Sequence, residues 1–440
     1  LRSGNASLAY RLVSNHGLTS GESFADAEWM AGWISLRFLH NAQQAADHFA
    51  HLSENVSAPV SRARALYWRA EAQRALGDTA GADQMLNDAA RYNFTYYGQL
   101  AAVRSNPNAM LTLPDTGRVT DTARARFESR ELVQALRLMA QVGAQRDFES
   151  IAYYLDDTLD DPMEIELLSQ MAREQSYNRT ALRSAKAGLF RGVVATNAAY
   201  PLIELPAQVQ QSGRPEPALV LSIIRQESEF MAAAKSHAGA RGLMQLMPFT
   251  ARTEARDAQM PFVLNRLTSD PVYNLRLGTQ HLLRLREIYQ GSYPLMIAAY
   301  NAGSGRVDRW LALHGDPRKG KAEWADWIEL IPFEETRLYT KLVLENHAVY
   351  RLRLGDRVDL MRLAAHWQAQ AVDPALCNAL LVKEESDATA AVPLSADNGM
   401  QVAAADESKT NKGLEGGKKP DVIPVLRKLK ADNKTAWPAC

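Results

Sequence analysis

The sequence predicts an all-α protein, and three features carry this prediction. Apolar residues recur three and four positions apart along most of the chain, as expected for helices with one buried face. Gly, Pro, Asp and Asn stand between these periodic runs, where helices begin and end. No alternating apolar and polar segment of useful strand length is present. We therefore predict a helical-repeat superhelix followed by a mostly helical domain.

The overall composition limits the class of protein and the class of partner. The 440 residues are 46% apolar and 23% charged, which is typical of a soluble globular protein with two or three domains. Lys plus Arg equals Asp plus Glu at 50 each, so no global field favours nucleic acid as a partner. No run of about 18 apolar residues is present, and the start without Met indicates a mature or truncated fragment. The two cysteines, Cys377 and Cys440, exclude a disulfide framework and a Cys-based metal site.

Residues 1–118 are predicted to form a partial helical superhelix. The segment from Leu39 to Phe49 matches the segment from Leu76 to Leu86 in its order of small and large residues, at an offset of 37 positions. A weaker match relates residues 5–13 to residues 41–49, at an offset of 36. A repeat of this length favours stacked antiparallel helix pairs, since each pair needs a neighbour to cover its apolar face. The alternative is an irregular helical bundle.

Two further boundaries follow from composition. Pro107, Pro114 and Gly117 interrupt the helical pattern, so a linker helical domain is placed at 119–194. Its first segment carries one apolar stripe, formed by Leu132, Ala135, Leu136, Met139 and Val142. The main helical domain is placed at 195–370. Residues 371–440 shift to Ala, Asp, Ser, Gly and Lys, which predicts a disordered tail.

Glu227 stands at the end of an apolar helix face. Pro217 occupies a first-turn position, and the helical spacing that follows puts Glu227 in line with a buried stripe. The stripe comprises Leu219, Val220, Ile223 and Ile224. Burial raises a carboxyl pKa, so a glutamic acid at this position can stay protonated near neutral pH and act as a general acid. The alternative is a helix-end glutamate that pairs with a nearby Arg or Lys.

The loop that follows Glu227 favours the catalytic alternative. Gly239 and Gly242 permit a tight turn with close backbone approach. Gln245 offers donor and acceptor groups to a sugar, and Met247 offers a soft apolar surface. Taken singly, these residues are typical of a solvated loop or of a core.

Four motifs stand in order over about 110 residues, and together they resemble the soluble lytic transglycosylases with a goose-type lysozyme-like catalytic domain. The motifs are Glu227-Ser228, Gly242 to Pro248 (GLMQLMP), Ala299 to Gly303 (AYNAG) and Ile331 to Tyr339 (IPFEETRLY). The last motif is similar to the signature of the branch that has a large helical superhelix before the catalytic domain. One departure is visible, because this chain has Phe230-Met231-Ala232-Ala233 where the family often has a proline. The departure affects the expected loop path.

The resemblance implies an activity and a set of site residues. It implies a lytic transglycosylase that cleaves the MurNAc-GlcNAc β-1,4 bond of peptidoglycan and leaves 1,6-anhydromuramic ends, with Glu227 as the catalytic acid and base. The residues expected to line the saccharide groove are Ser236, Gln245, Met247, Tyr300, Asn301 and Glu335. Asn301 either binds substrate or supports the turn before Gly303, and Ser228 either orients the acid or ends the helix.

The resemblance also implies the setting of the activity. It places the lysozyme-like domain at 195–370 in a bacterial periplasm, where it acts on glycan strands of peptidoglycan without metal or organic cofactor. Cell-wall synthesis or hydrolysis proteins are candidate partners, and no nucleic acid is expected. The rival functions are a lysozyme-type hydrolase that uses Glu227 with a recruited water and a helical-repeat scaffold that no longer cuts.

One other pair of residues has the spacing of metal ligands. His48 and His51 stand three positions apart, but their Ala- and Phe-rich surroundings favour a structural helix face.

Overall fold

The computed structural model describes residues 4–210 and 213–368. Within these ranges the regular structure consists of 21 α-helices and two short 3₁₀ turns, and the β-type pairings are three isolated bridges. The predicted all-α fold class is confirmed. The predicted tail at 371–440 and both cysteines lie outside the described residues. Every helix in the described ranges is too short or too polar to cross a lipid bilayer.

Six helices occupy the region of the predicted superhelix, and each packs against the next. They are α1 (Ala6–Ser14), α2 (Glu22–Arg37), α3 (Ala42–Asn55), α4 (Pro59–Ala75), α5 (Thr79–Ala90) and α6 (Tyr96–Ser105). The side chains of Asn5, Asn41 and Asp78 cap the first turns of α1, α3 and α5 by accepting a backbone N–H. These caps are 36 and 37 residues apart, so the repeat seen in the sequence corresponds to successive helical hairpins.

The histidines at the metal-like spacing contact a carboxylate of a neighbouring helix. His48 Nδ1 lies 2.7 Å from Oε2 of the buried Glu28, and His51 Nδ1 lies 3.1 Å from its Oε1. His16 Nε2 contacts the same Oε1 at 3.0 Å. These contacts join α2 and α3 to the loop that follows α1. The structural helix-face interpretation therefore agrees with the observed contacts.

Five helices form the next region, after a helix-free segment at 106–120. They are α7 (Asp121–Glu128), α8 (Glu131–Gln141), α9 (Gln145–Asp156), α10 (Pro162–Glu174) and α11 (Asn178–Arg191). The apolar stripe predicted for α8 is correct at Leu136, which is fully buried, and wrong at Val142, which is 74% exposed. The reason is that α8 ends at Gln141, so Val142 lies beyond the packed helix face.

The remaining ten α-helices and the loops between them contain the four motifs. They are α12 (Thr196–Ala199), α13 (Pro217–Glu227), α14 (Pro248–Asp257), α15 (Arg266–Ser269), α16 (Pro271–Tyr289), α17 (Tyr293–Ala302), α18 (Ser304–His314), α19 (Trp324–Glu329), α20 (Glu334–Arg353) and α21 (Leu360–Gln368). The Asp270 side chain accepts the Tyr273 N–H and so caps the first turn of α16, ahead of Pro271. The helix ends at Tyr289, just before Gly291.

The regions pack against one another, and α20 is the central contact. This helix packs on α13 and α17 in its own region and on α6 of the superhelix region. The helix-free segment is also anchored, since Leu111 N donates to Val358 O and Leu360 N donates to Ala109 O. The residue boundaries at 118, 194 and 370 stay predictions.

Candidate active site

Helix α13 delivers Glu227 at its last residue. Its apolar stripe is 0–1% exposed at the four predicted positions, Leu219, Val220, Ile223 and Ile224. The helix ends here because the backbone turns sharply: Glu229 and Phe230 have φ of 51° and 63°, in the left-handed region that non-glycine residues rarely adopt. Phe230, the first residue of the segment that departs from the resembled family, is buried. The chain therefore leaves α13 through a left-handed turn.

The Glu227 carboxyl group has one hydroxyl donor and a poorly solvated environment. Tyr339 OH donates to Glu227 Oε1 at 2.7 Å. Burial raises the pKa of Glu227 to about 7, the Tyr339 hydrogen bond opposes this rise, and the negative charge of Glu335 adds to it. A large fraction of Glu227 is therefore protonated at neutral pH.

Glu229 takes the salt-bridged role that was the alternative for Glu227. Glu229 lies beyond the end of α13, and its carboxylate contacts three cations of α11. Arg179 Nε, Arg183 Nε and Lys186 Nζ approach its carboxylate at 3.1, 2.9 and 2.8 Å. Although burial favours the neutral acid, Lys186 and Arg183 lower the pKa of Glu229 to about 2. Glu229 is therefore ionised at neutral pH, whereas a large fraction of its neighbour Glu227 is protonated.

The hydroxyl of Ser228 belongs to the end of the helix. Its Oγ donates to Ile224 O at 3.3 Å, and its backbone N donates to the same carbonyl at 3.1 Å. These contacts match the helix-ending role of Ser228.

The glycine-containing loop is a compact series of turns. Ser236 Oγ accepts the N–H of Ala240 at 3.0 Å, and the chain reverses through Gly239 at a φ of 90°. Gly242 has a φ of 78°, and a Cβ on it would lie 2.0 Å from Leu267 O. A side chain at 242 is therefore excluded by contact as well as by backbone conformation.

Gln245 lies at the inner edge of this loop. Its Nε2 donates to Gly242 O at 2.8 Å and to Ala234 O at 3.2 Å. Because both amide hydrogens are directed at backbone carbonyls, the group that Gln245 can offer to a sugar is its acceptor oxygen. Met247 precedes α14 and is 43% exposed, as a sugar-contacting side chain must be.

The three remaining predicted residues lie on α17 and α20. Tyr300 OH donates to Met244 O at 2.7 Å, which ties α17 to the loop. Asn301 Oδ1 accepts from Thr336 Oγ1 at 2.6 Å, so its side chain joins α17 to the first turn of α20. Glu335 is exposed in that same turn.

A cavity of about 480 Å³ opens at Glu227. Of the predicted site residues, Glu227, Ser236 and Gln245 line it, and Ser228 lies beside them. The lining does not include Met247, Tyr300, Asn301 or Glu335. Among the described residues that line it, the acidic ones are Glu227 and Glu229.

Sequence reasoning missed two groups at this site. Tyr339 was part of a quoted motif, but its contact with Glu227 spans 112 residues and has no local signal. The cations Arg179, Arg183 and Lys186 line the same cavity from a helix outside the motif region. Their spacing of four and three residues was the available signal, since it puts them on one helix face.

Comparison with known proteins agrees with this geometry. Residues 204–322 match the family described as the transglycosylase SLT domain. This segment is therefore similar to transglycosylase SLT domains. It begins before α13 and ends after α18, so it contains Glu227, the glycine-containing loop and the Ala299 to Gly303 motif.

Sequence similarity to known proteins extends over more of the chain than residues 204–322. A putative soluble lytic murein transglycosylase of Haemophilus influenzae is 30% identical over 261 residues, which is 58% of this chain and 42% of that protein. The soluble lytic murein transglycosylase of Escherichia coli is 38% identical over 148 residues, 33% of this chain and 22% of that protein. The resemblance to soluble lytic transglycosylases is confirmed. The matched part spans less than half the length of these relatives.

Solved structures extend the likeness to the helices before the SLT domain. An inactive variant of lytic transglycosylase Slt from Pseudomonas aeruginosa has a TM-score of 0.60 at 25% identity, covering 80% of this chain and 55% of that one. The 70-kDa soluble lytic transglycosylase of Escherichia coli has a TM-score of 0.52 at 21% identity, covering 83% and 63%. At 21% identity, the likeness to the Escherichia coli structure shows similarity of the fold alone.

Proposed function

We propose that this protein is a peptidoglycan lytic transglycosylase that cleaves the MurNAc-GlcNAc β-1,4 bond and leaves 1,6-anhydromuramic ends. The observation that carries the proposal is the Glu227 carboxyl group, which has a pKa of about 7 and faces a cavity inside an SLT domain. A carboxyl group with this pKa can deliver and then recover a proton near neutral pH.

In the first step Glu227 acts as the acid. Its proton moves to the oxygen that links MurNAc C1 to GlcNAc, and the C1–O bond breaks as GlcNAc leaves with a new hydroxyl group. The acetamido oxygen of the same MurNAc forms a bond to C1 and takes up the developing positive charge. Tyr339 OH, 2.7 Å from Oε1, stabilises the carboxylate that remains.

In the second step the same group acts as the base. The Glu227 carboxylate takes the proton of the MurNAc C6 hydroxyl, O6 forms a bond to C1, and the bond from the acetamido oxygen to C1 breaks. The product is a 1,6-anhydro ring, and Glu227 is protonated again. Water is not consumed.

The surrounding carboxylates support a mechanism with one catalytic carboxyl group. Ordinary glycosidases use two carboxyl groups about 5 to 10 Å apart, with one acting as nucleophile or as base for water. Here Glu229 is held by three cations with a pKa lowered to about 2, and Glu335 is exposed on α20. Glu229 is thus already paired with the three cations of α11.

The proposed substrate is the set of glycan strands of bacterial peptidoglycan, and the proposed location is the periplasm. The similar proteins named above are murein transglycosylases of bacteria. The chemistry described above proceeds with side chains of this chain and the substrate's own acetamido and hydroxyl groups. Cell-wall synthesis or hydrolysis proteins are proposed as partners of the protein.

Mass spectrometry of digested peptidoglycan tests the proposal. We expect muropeptides with 1,6-anhydromuramic ends from the parent protein and none from Glu227→Gln. Reducing ends in their place would identify a lysozyme-type hydrolase. Absence of any cleavage by a folded parent protein would favour a glycan-binding scaffold.

A further inference from the structure

The start of helix α14 carries two exposed apolar side chains. Met247, immediately before the helix, is 43% exposed, and Phe249 in its first turn is 82% exposed. Among the described residues, no other large apolar side chain is as exposed as Phe249. The GLMQLMP motif ends at Pro248, so Phe249 is not one of the groove residues that the family resemblance implies.

Packing within the protein does not account for the phenylalanine at 249. In the part of the chain that the structure describes, Phe249 belongs to neither of the two hydrophobic cores. Phe262, by contrast, packs against the smaller core, and the Arg252 guanidinium covers its ring at 5.1 Å from the centroid. An acidic or small polar side chain would suit an exposed first helical turn better than Phe. The exposed ring therefore has the character of a ligand contact.

The two side chains, named here the α14 platform (Met247 and Phe249), continue from the wall of the Glu227 cavity. Gln245 lines that cavity, and the platform residues follow it two and four positions later. Even a fully extended chain would put the Cα of Phe249 at most about 14 Å from that of Gln245. The platform residues do not line the cavity itself. A polymeric ligand held at Glu227 can therefore reach the platform, whereas a ligand that fills only the cavity does not.

We propose that Phe249, supported by Met247, stacks against a GlcNAc ring of the glycan strand outside the Glu227 cavity. This inference rests on the proposed function, which places the strand at Glu227. A β-1,4-linked pyranose ring has faces made of C–H bonds, and an aromatic ring beside a thioether gives such a face an apolar surface to lie on. GlcNAc suits the platform because its C3 oxygen carries no lactyl group and therefore no peptide. Phe249 thus contributes to the length of glycan that is bound.

Binding in a background that cannot cut tests the platform. Glu227→Gln is compared with Glu227→Gln/Phe249→Ala, using peptide-free β-1,4-linked GlcNAc oligomers as a disaccharide and as a hexasaccharide. We expect Phe249→Ala to weaken binding of the hexasaccharide about fivefold and binding of the disaccharide less than about twofold. Glu227→Gln/Phe249→Trp should keep the hexasaccharide affinity, because the larger ring preserves the stacking surface.

A second exposed aromatic ring provides the matched control. Tyr154 on α9 is 67% exposed, and Tyr154→Ala in the Glu227→Gln background should leave both affinities unchanged. Since Phe249 lies outside both cores, Phe249→Ala should also leave the midpoint of thermal unfolding unchanged.

Three results would overturn the platform. One is unchanged hexasaccharide binding in Phe249→Ala, which would assign the exposed ring to another partner such as a protein. Another is an equal loss for both oligosaccharides, which would indicate a displaced loop rather than a lost contact outside the cavity. The third is a Glu227→Gln protein that binds the hexasaccharide no more tightly than the disaccharide.

The proposed function fails separately from the platform. Its failure would appear as an absence of anhydromuramic ends in peptidoglycan digests by the parent protein, whereas the affinities for GlcNAc oligomers are measured without turnover.

Discussion

Two glutamates, Glu227 at the end of α13 and Glu345 within α20, have the same raised pKa and different surroundings. Burial raises the pKa of Glu227 to about 7, and burial raises the pKa of Glu345 to about 7 as well. Glu227 faces a cavity of about 480 Å³ and accepts a hydrogen bond from the Tyr339 hydroxyl. Glu345 is enclosed where α20 packs on α6, and its Oε2 accepts the N–H of Tyr96 at 2.7 Å.

The difference shows that a raised pKa by itself does not identify a catalytic acid. The Glu345 carboxyl group meets the first turn of α6, where helix N–H groups need acceptors. Its neighbour Gln99 donates from Nε2 to Glu345 O at 3.1 Å, which strengthens the same junction. Glu345 therefore joins the superhelix region to α20, whereas Glu227 alone of the two can reach a ligand. Access to a cavity distinguishes the catalytic candidate from the structural carboxyl group.

The largest expected effect is on activity, which should depend on Glu227 and not on Glu345. Glu227→Gln keeps the shape of the side chain but removes the transferable proton, so we expect release of anhydromuropeptides to fall about 10³-fold. Glu345→Gln is the matched control and should retain activity within about threefold once its fraction folded is taken into account. A loss of similar size in both variants would contradict the assignment of Glu227 as catalytic and of Glu345 as structural.

The next effect is on the pH dependence of stability at the Glu345 junction. A carboxyl group with a folded pKa of about 7 and an unfolded value near 4.5 contributes its full stability below about pH 4.5 and loses it as the pH rises through 7, because the ionised form is disfavoured by burial. Glu345→Gln cannot ionise. Relative to the parent, we expect its unfolding free energy to improve by about 1–3 kcal/mol between pH 5 and pH 8.

Denaturant unfolding of both proteins at the two pH values measures this change. The change should appear as a difference between the two proteins in how the free energy of unfolding varies with pH, whatever the stability of Glu345→Gln at a single pH. An unchanged difference between the proteins from pH 5 to pH 8 would contradict the raised pKa of Glu345.

The smallest effect concerns the hydroxyl donor to Glu227. Since the acid must be protonated, kcat/KM is expected to be highest below about pH 7 and to fall above it. The Tyr339 hydroxyl favours the ionised form of Glu227, so Tyr339→Phe should raise the Glu227 pKa. The fall of kcat/KM at alkaline pH should then move to higher pH by less than about one pH unit. A pH profile of kcat/KM for both proteins checks this, and a downward shift would be inconsistent with the hydrogen bond.

The local features of the site were predictable from residues close together in sequence. Helix α13 was recognisable from Pro217 and its apolar stripe. The need for glycine at 242 was also visible, and its φ of 78° confirms a special backbone conformation. Each of these depends on backbone preferences or helical spacing within a few residues.

Contacts between distant segments were not predictable in the same way. The Tyr339 bond to Glu227 joins residues 112 positions apart. The left-handed turn at Glu229 and Phe230 directs the Glu229 carboxylate to Lys186 of α11, 43 positions earlier in the chain. The error at Val142 has a related cause, because the exact end of a helix depends on what it packs against.

By itself the sequence determined the all-α fold class, the 36- and 37-residue helical repeat and the choice of Glu227 as the principal candidate. The fold class and the repeat follow from apolar spacing and turn residues, which act over short stretches of chain. The choice of Glu227 follows from its place on an apolar helix face and from four ordered motifs that resemble a known family. The tertiary structure decided which glutamate is neutral and which is paired. It placed Glu227 in a poorly solvated position beside Tyr339 and Glu229 against three cations of α11. Desolvation and ion pairing depend on distances in space, and only the packing of α11, α13 and α20 sets those distances.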